Sequence, residues 1–542
     1  MATVIVDGKE ITIGDHERLN GIQVAQRAGI EIPHYCWHPG MSVVASCRMC
    51  LCKSGTRDPA TGKITIVPKV VPACQTPAKD NTVFVTDDED IRKYRAMVEE
   101  DLLIDHPVDC PICDKAGECH LQDYHFEHGQ KERRADIKPF HSRRREMGDT
   151  VTLFVDRCVM CTRCVRFTRE IAGTSELMVV NRGSHEEIDV FPGLPLDNKL
   201  SGNVVDLCPV GALCDKDFLY SQRVWFMKKH AGVCTGCATG CSINIEENQD
   251  TVYRLRPREN PHINQWWMCD EGRYGFHHVH ADERLNEPRQ WTKAGQVSLD
   301  WKDVPTQIKT HLQAAGHLAA VVSPHLTVEE AYMLCAFVRS LDDKAVLAVG
   351  PIPVEGEDET FKNGFTIRAE KCPNRRGVEA VVQHFTGAVT TFDELLDQLA
   401  AGANGQAIGG VWVSGGYKTD WNDESTAERF ANVKELVVQD LFSSPLFENA
   451  TFQLPSAAFP ERDGSYVNVA DRLQSVRWAI RPPSGVMTEG QLLWRLLGRS
   501  GLFNAQVILN EIAAEIPYFS AAAGGVHELG VDLKVNQLAA AT

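Results

Sequence analysis

The chain has 542 residues, enough for three to four domains at about 150 residues each. Lys and Arg number 56 against 73 Asp and Glu, a net charge of −17 that excludes nucleic acid as the main partner, because phosphate binding needs excess cations. Hydrophobic residues at 43% exclude a mostly disordered chain, and no apolar run approaches the roughly 18 residues of a membrane-spanning helix.

The N-terminus opens on strand-like Thr3-Val4-Ile5-Val6, without the basic flank and apolar stretch of a signal peptide, so a cytoplasmic chain is expected. Val4, Ile5 and Val6, an Asp7-Gly8 turn, then Ile11 and Ile13 read as a hairpin. Asn20 caps a short helix that stops at Gly29. Hairpin, helix and a cysteine loop make a small α+β module of about 80 residues. Thr86 and Glu89 form a capping-box pattern. Ile91, Tyr94, Val98 and Leu102 follow at helical spacing, predicting an amphipathic helix over 87–104 that delivers the chain to His106. Residues 129–150 are polar and locally basic (Arg133, Arg134, Arg143, Arg144, Arg145) and read as a solvated connector, with docking to an acidic partner as the alternative. Beyond about residue 290 the texture changes. Residues 318–322 are a buried-strand run, and Thr327 with Glu330 opens a helix to about residue 341. Apolar strands recur at 345–349, 411–413 and 435–438, predicting an α/β layer with parallel strands. Gly409-Gly410 and Gly415-Gly416 flank a strand and read as tight turns. No Gly-x-Gly-x-x-Gly follows a strand, so no dinucleotide fold is expected.

Cysteine is the outlier. Of 19, all but Cys335 and Cys372 lie at or before Cys269. Crowded, reduced cysteines point to metal. They fall into four constellations. Cys36-x10-Cys47-x2-Cys50-x23-Cys74 keeps the tight pair of a plant-type 2Fe–2S ferredoxin but widens its first gap; zinc is the competing occupant. His106-x3-Cys110-x2-Cys113-x5-Cys119 suits zinc or a 4Fe–4S cluster, with His120, His125 and His128 as competing donors. A plain helix-end histidine is the other reading of His106. In a cluster, a neutral imidazole in place of a thiolate makes the site less negative and raises its potential. Cys158-x2-Cys161-x2-Cys164 with Cys208-Pro209 is the bacterial 4Fe–4S pattern. The fourth ligand returns after 43 residues, a closure costlier by about 2 kcal/mol than the usual three. Cys234-x2-Cys237-x3-Cys241-x27-Cys269 again suits 4Fe–4S, or zinc. Cys52, Cys214, Cys335 and Cys372 remain as packing thiols. Several clusters of differing ligand sets make a conductor, with potentials tuned by the protein.

The order of the four motifs, with His106-Pro107-Val108-Asp109-Cys110-Pro111, resembles the large iron–sulfur subunit (NuoG) of the NADH-quinone oxidoreductases, respiratory complex I, over residues 1 to about 285. Leu454-Pro455, Glu461-Arg462-Asp463-Gly464 and Asn468 through Arg472-Leu473-Gln474 resemble the same family's C-terminal region. The resemblance implies a β-grasp ferredoxin-type 2Fe–2S module at 1–85 and a His(Cys)3-ligated 4Fe–4S segment at 86–128. A 4Fe–4S ferredoxin-like module at 129–226 and a 4Fe–4S module of the molybdopterin-enzyme type at 227–285 follow. A shortened α/β molybdopterin-oxidoreductase-like domain occupies 286–542. It implies one 2Fe–2S and three 4Fe–4S clusters, no catalytic residue of the chain's own, and no molybdopterin. Electrons would come from a partner holding FMN and oxidising NADH. They would pass the Cys36 site, the Cys158 site and the His106 site in that order, and leave to a downstream iron–sulfur subunit and quinone. Proton translocation would belong to the whole complex, on whose soluble arm the chain would sit, at the cytoplasmic face of the bacterial inner membrane. The fourth cluster would lie off this route. The fourth motif also resembles molybdopterin enzymes such as formate dehydrogenases, but Glu271 stands where catalytic members tend to carry a lysine, and only residues 270–542 follow Cys269. An iron–sulfur or molybdopterin chain of a NAD-linked formate dehydrogenase or hydrogenase is the redox alternative. A zinc-stapled scaffold is the non-redox one.

Overall fold

The computed structural model describes residues 1–132, 134, 143–183, 185–401 and 406–534. They form two compact units, Met1–Met227 with Phe361–Gly364, and Lys228–Thr360 with Phe365–Thr542.

In the first unit, strands Ala2–Val6 and Lys9–Ile13 pair antiparallel with Val6 opposite Lys9. Asp7 (φ 46°) and Gly8 (φ 83°) take the left-handed conformation that a two-residue hairpin loop requires. Ala2–Val6 also pairs parallel with Thr82–Val85, which joins Leu51–Arg57 and Ile64–Pro72 in a five-stranded sheet. Helix Gly21–Arg27 starts at Asn20, which exchanges backbone hydrogen bonds with Gln23 in a capping box, and Gly29 follows its end at φ 71°. The helix covers the sheet: Val4, Val6, Ile22, Val24, Ala25 and Phe84 share one buried core. Glycine is needed at position 21, where a Cβ would stand 2.9 Å from the Phe84 ring. This is the β-grasp arrangement of ferredoxin-like modules.

Helix Glu89–Asp105 departs from the sequence expectation in cap and in face. Its cap is Asp88, which accepts from the Ile91 N–H at 2.9 Å. Thr86 is already engaged, donating its N–H to Asp7 Oδ1 at 2.8 Å and its hydroxyl to Oδ2. The buried face is Ile91, Arg95 and Glu99, and Tyr94 is exposed. Arg95 donates to the Thr86 and Leu51 carbonyls, and Glu99 accepts from the Tyr35 hydroxyl. Apolar periodicity misreads this helix because its buried contacts are polar. The rest of the unit is built from short pieces: helix His120–His128, helices Arg163–Phe167 and Asn203–Leu207, and the antiparallel sheet Leu213–Asp215, Val151–Phe154, Arg144–Glu146. Of the connector read over 129–150, residues 133 and 135–142 lie outside the described residues. In its described part Arg143 and Arg145 pair with Asp156, Glu187 and Asp189 of the same unit.

The second unit begins with an antiparallel sheet, Lys228–Val233, Ser242–Asn248 and Thr251–Pro257. Its body is a seven-stranded sheet in the order Gly295–Ser298, Arg289–Thr292, Phe452–Pro455, Glu435–Asp440, Ile408–Ser414, His317–Val322, Val346–Val349. The last five are parallel, as expected of an α/β layer, and the first two are antiparallel at one edge. Strand alternation serves two cores. Leu318, Ala320 and Val322 face one with helices Val304–Ala315 and Val328–Leu341, while Ala319 and Val321 face the other with Leu395 and Phe447. Each such buried aliphatic side chain contributes about 1.5–3 kcal/mol. Thr327 and Glu330 form the expected capping box. Gly409-Gly410 is not a turn. Both residues lie inside Ile408–Ser414, where a Cβ on Gly409 would stand 2.0 Å from the Ala315 carbonyl oxygen. The pair admits a helix end pressed against the strand.

Candidate metal centres

All 19 cysteines are free thiols, none in a disulfide. The structure lines one pocket with all four cysteines of the Cys158 motif and one cavity with His106, Cys110 and Cys119; in the other two motifs the cysteines are linked through hydrogen bonds and charge. Among the described residues no three His, Cys, Asp or Glu side chains gather at the spacing of a single metal ion.

Cys36, Cys47 and Cys50 sit on one loop, folded inward by left-handed Ala45 (φ 53°) and Arg48 (φ 58°), and Cys74 follows strand Ile64–Pro72. Cys36 and Cys47 hydrogen-bond to each other, as do Cys50 and Cys74, and the charge of Cys36 is felt at both Cys50 and Cys74. The hydrogen bond from Cys47 lowers Cys36 to about 5, helped by backbone N–H groups of Cys47 and Ser46. Donors aimed at sulfur are what a thiolate-bound cluster uses to tune its potential.

His106 caps helix Glu89–Asp105, and among the described residues its ring takes no hydrogen-bond partner, contrary to the helix-end reading. Burial, with the Arg157 charge, lowers it to about 4, so the imidazole is neutral and able to ligate. Cys110 opens an exposed turn, Cys110–Ile112, and Cys119 caps helix His120–His128. His106, Cys110 and Cys119 line one cavity of about 350 Å³, with His125 on its wall. Cys113 is electrostatically linked to both Cys110 and Cys119. Burial pushes Cys119 up to about 11, against the pull of the Gln122 and Leu121 N–H groups. The cavity thus leaves His125, whose buried Nδ1 has no partner, as a second imidazole. His120 and His128 do not line it.

Cys158, Cys161, Cys164 and Cys208 line one small pocket with Leu153, Ile188 and Val210. Left-handed Met160 (φ 47°) and Thr162 (φ 56°) let three sulfurs of one loop converge. Burial pushes all three of these thiols up, Cys161 to about 11 because Arg163 offsets part of the effect. Bound iron would reverse this by stabilising the thiolates.

Cys234 ends strand Lys228–Val233, Cys241 precedes Ser242–Asn248, and the Cys234 N–H donates to the Cys241 carbonyl at 2.8 Å. Cys269 caps helix Asp270–Tyr274 and its sulfur accepts from the Gly272 N–H at 3.4 Å. The charges of Cys234, Cys237 and Cys269 are all felt at Cys241. Glu271 pairs with Lys371 at 2.5 Å and Lys418 at 3.8 Å. The pocket bounded by Thr235, His278, His325, Lys418 and Arg462 holds about 20 Å³, against about 300 Å³ or more for a small-molecule site.

Sequence reasoning missed the supports. A Cβ on Gly211 would stand 2.1 Å from the Cys113 sulfur, and one on Gly272 would stand 2.8 Å from that of Cys234. Each glycine lies three residues after a returning cysteine, Cys208 or Cys269, a signal available in the sequence. Asn468 donates to the Thr239 carbonyl and Gln474 to that of Gly240, so the C-terminal resemblance segment braces the fourth cysteine loop. The four remaining cysteines are buried; Cys52 and Cys214 donate to the Val71 and Gly211 carbonyls and feel the charges of Cys50 and of Cys113 and Cys208.

Four family models match the chain. They are the 2Fe-2S iron-sulfur cluster binding domain at residues 4–79 and the NADH-ubiquinone oxidoreductase-G iron-sulfur binding region at 95–134. The ferredoxin-like domain of NADH-quinone oxidoreductase subunit 3 matches 148–214, and the molybdopterin oxidoreductase Fe4S4 domain matches 227–281. The G subunit of the NADH-quinone oxidoreductase of Rickettsia felis is 33% identical over 63% of this chain and 49% of its own length. The NADH-ubiquinone oxidoreductase 75 kDa subunit of Reclinomonas americana is 31% identical over 67% of this chain and 52% of its own. The chain therefore spans about half the length of the curated relatives it matches. A crystal structure of an NAD+-reducing NiFe-hydrogenase in the H2-reduced state is 25% identical, covering 41% of this chain and 91% of its own, at a TM-score of 0.34.

Proposed function

This chain belongs to the family of large iron–sulfur (G) subunits of the NADH-quinone oxidoreductases, and on that premise we propose that it is the electron-transferring iron–sulfur subunit of such a complex, without a substrate site of its own. Cys36, Cys47, Cys50 and Cys74 hold a 2Fe–2S cluster. Three 4Fe–4S clusters are held by His106, Cys110, Cys113 and Cys119, by Cys158, Cys161, Cys164 and Cys208, and by Cys234, Cys237, Cys241 and Cys269. The clusters supply one-electron transfer. The chain supplies spacing, burial and the charges that set their potentials.

Three of these sites lie in one compact unit, and the ligand loops of the first and third are bonded to each other through Arg166, which donates to the carbonyls of both Cys36 and Cys161. That contact carries the reading: one guanidinium that holds both cysteine loops suits transfer between them. With clusters bound, the Cys36 site would take electrons from an FMN- and NADH-binding partner, and the Cys158 and His106 sites would carry them on toward a downstream iron–sulfur subunit. The fourth site stands off this route. In the assembled complex the flow drives proton translocation. The chain sits on the peripheral arm at the cytoplasmic face of a bacterial inner membrane; no helix among the described residues is long and apolar enough to cross a membrane. The pocket beside Thr235, at about 20 Å³, gives no support to a formate dehydrogenase chain.

Anaerobic reconstitution of the full chain tests the reading. It expects about fourteen iron atoms with matching sulfide and four distinguishable EPR signals on reduction. Cys161→Ala should remove the Cys158-site signal and the protease resistance of that unit together, because ligation is part of its folding energy. A colourless, EPR-silent, zinc-replete chain would overturn it.

A further inference from the structure

We propose that Arg163 and Arg166 are an electrostatic joint between the Cys36 site and the Cys158 site, two buried cations whose counter-charge is the clusters themselves. The inference rests on the ligand sets proposed above. Both side chains come from helix Arg163–Phe167, the segment carrying Cys164. Arg163 is 5% exposed and Arg166 2%. Arg163 donates to the Trp37 carbonyl at 2.6 Å, beside Cys36, and to the Leu207 carbonyl at 3.3 Å, beside Cys208. Arg166 donates to the Ser42 carbonyl at 2.6 Å, to that of Cys36, and to that of Cys161 at 3.5 Å. Each guanidinium therefore ties one ligand loop of the first site to one of the third.

Among the described residues neither arginine forms an ion pair. Glu170, the carboxylate whose charge reaches Arg166, is itself bonded to Ser42 and paired with Arg169. A buried cation without a counter-ion is costly, and carbonyl hydrogen bonds orient a guanidinium without neutralising it. Thiolate-ligated clusters carry net negative charge, and each gains one more on reduction. They are the anions this place lacks. Arg157 makes the contrast: beside His106, it pairs with Asp109 at 2.9 Å and brings no net charge. The unpaired cations favour the reduced form of both neighbouring centres, raising the two potentials together, so that one charge change cannot easily separate donor from acceptor. Arg163 and Arg166 are thus positioning residues that also set potential.

The experiment is an EPR-monitored redox titration of the reconstituted full chain and four variants. Arg166→Met and Arg163→Met should each lower the reduction equilibrium constants of both centres by about tenfold or more, about 59 mV per tenfold for a one-electron couple. Arg166→Lys and Arg163→Lys, which keep the charge, should stay within about threefold of the parent. Unmoved potentials in the Met variants with both signals present overturn the inference, as do Lys variants shifted as far as Met. Missing signals in the parent chain defeat the ligand sets, and the inference with them. A second readout holds even where a variant takes up no cluster. In the iron-free chain, Arg166→Met should lower the unfolding midpoint clearly less than Arg462→Met does, because it loses carbonyl bonds but strands no carboxylate; an equal or larger loss overturns the proposal.

Discussion

The two units hold several of their buried cations differently, although Arg157 of the first does pair with Asp109. In the second, Arg284 pairs with Glu461 at 2.6 Å, and Arg462 with Glu330 at 3.2 Å and Glu489 at 3.0 Å, all with side chains at most 4% exposed. Lys371 has Glu271. In the first, Arg95, Arg163 and Arg166 are equally buried but donate to carbonyls only, and those carbonyls belong mostly to cysteines of the four motifs or their chain neighbours: Leu51 beside Cys50, Trp37, Leu207, Cys36 and Cys161. A carboxylate neutralises a buried cation in the α/β scaffold. Where none is supplied, the proposed clusters would bring the anion.

The largest expected effect that could break this comparison is in the second unit. Arg462→Met should cost about 3–5 kcal/mol in denaturant unfolding, because it strands Glu330 and Glu489. Equal losses for iron-free Arg166→Met would erase the contrast. Next is Gly272→Ala, which presses a methyl on the Cys234 sulfur. It should remove about four iron atoms per chain while leaving the EPR signals of the first unit intact. Loss of those signals too would mean that the cysteine sites do not load independently. His106→Cys should lower the potential of its centre by about tenfold in the equilibrium constant, because it adds negative charge. An unchanged potential, with a shift in a His125 variant instead, would hand the ligand role to His125. The smallest effect concerns Glu329, which burial raises to about 7 from an ordinary 4.5. Its folded form holds the proton more tightly than the unfolded one. Stability is therefore fullest below about pH 4.5, falls as pH rises to about 7, and is level above. Glu329→Gln should abolish that slope in unfolding measured at stepped pH, a gain of a few kcal/mol at most at neutral pH.

Much of this molecule is legible in its amino-acid sequence. The Asp7-Gly8 turn, the Asn20 and Thr327 caps and the parallel strands of the second half depend on local rules, such as left-handed turn residues, reciprocal caps and apolar runs, and each forms as expected. The cysteine motifs are legible because their close spacing is written along the chain. Where local signals meet a long-range competitor they mislead. Asp7 captures Thr86 from across the sheet and the cap moves to Asp88; Ala315 presses on Gly409 and a supposed turn becomes part of a strand. Which imidazoles share the cavity with Cys110, which glycines make room for sulfur, and which arginines lie buried without a carboxylate are decided only by the tertiary structure. Those properties depend on residues far apart in the chain meeting in space, and on the absence of a neutralising neighbour, neither of which any spacing along the chain records.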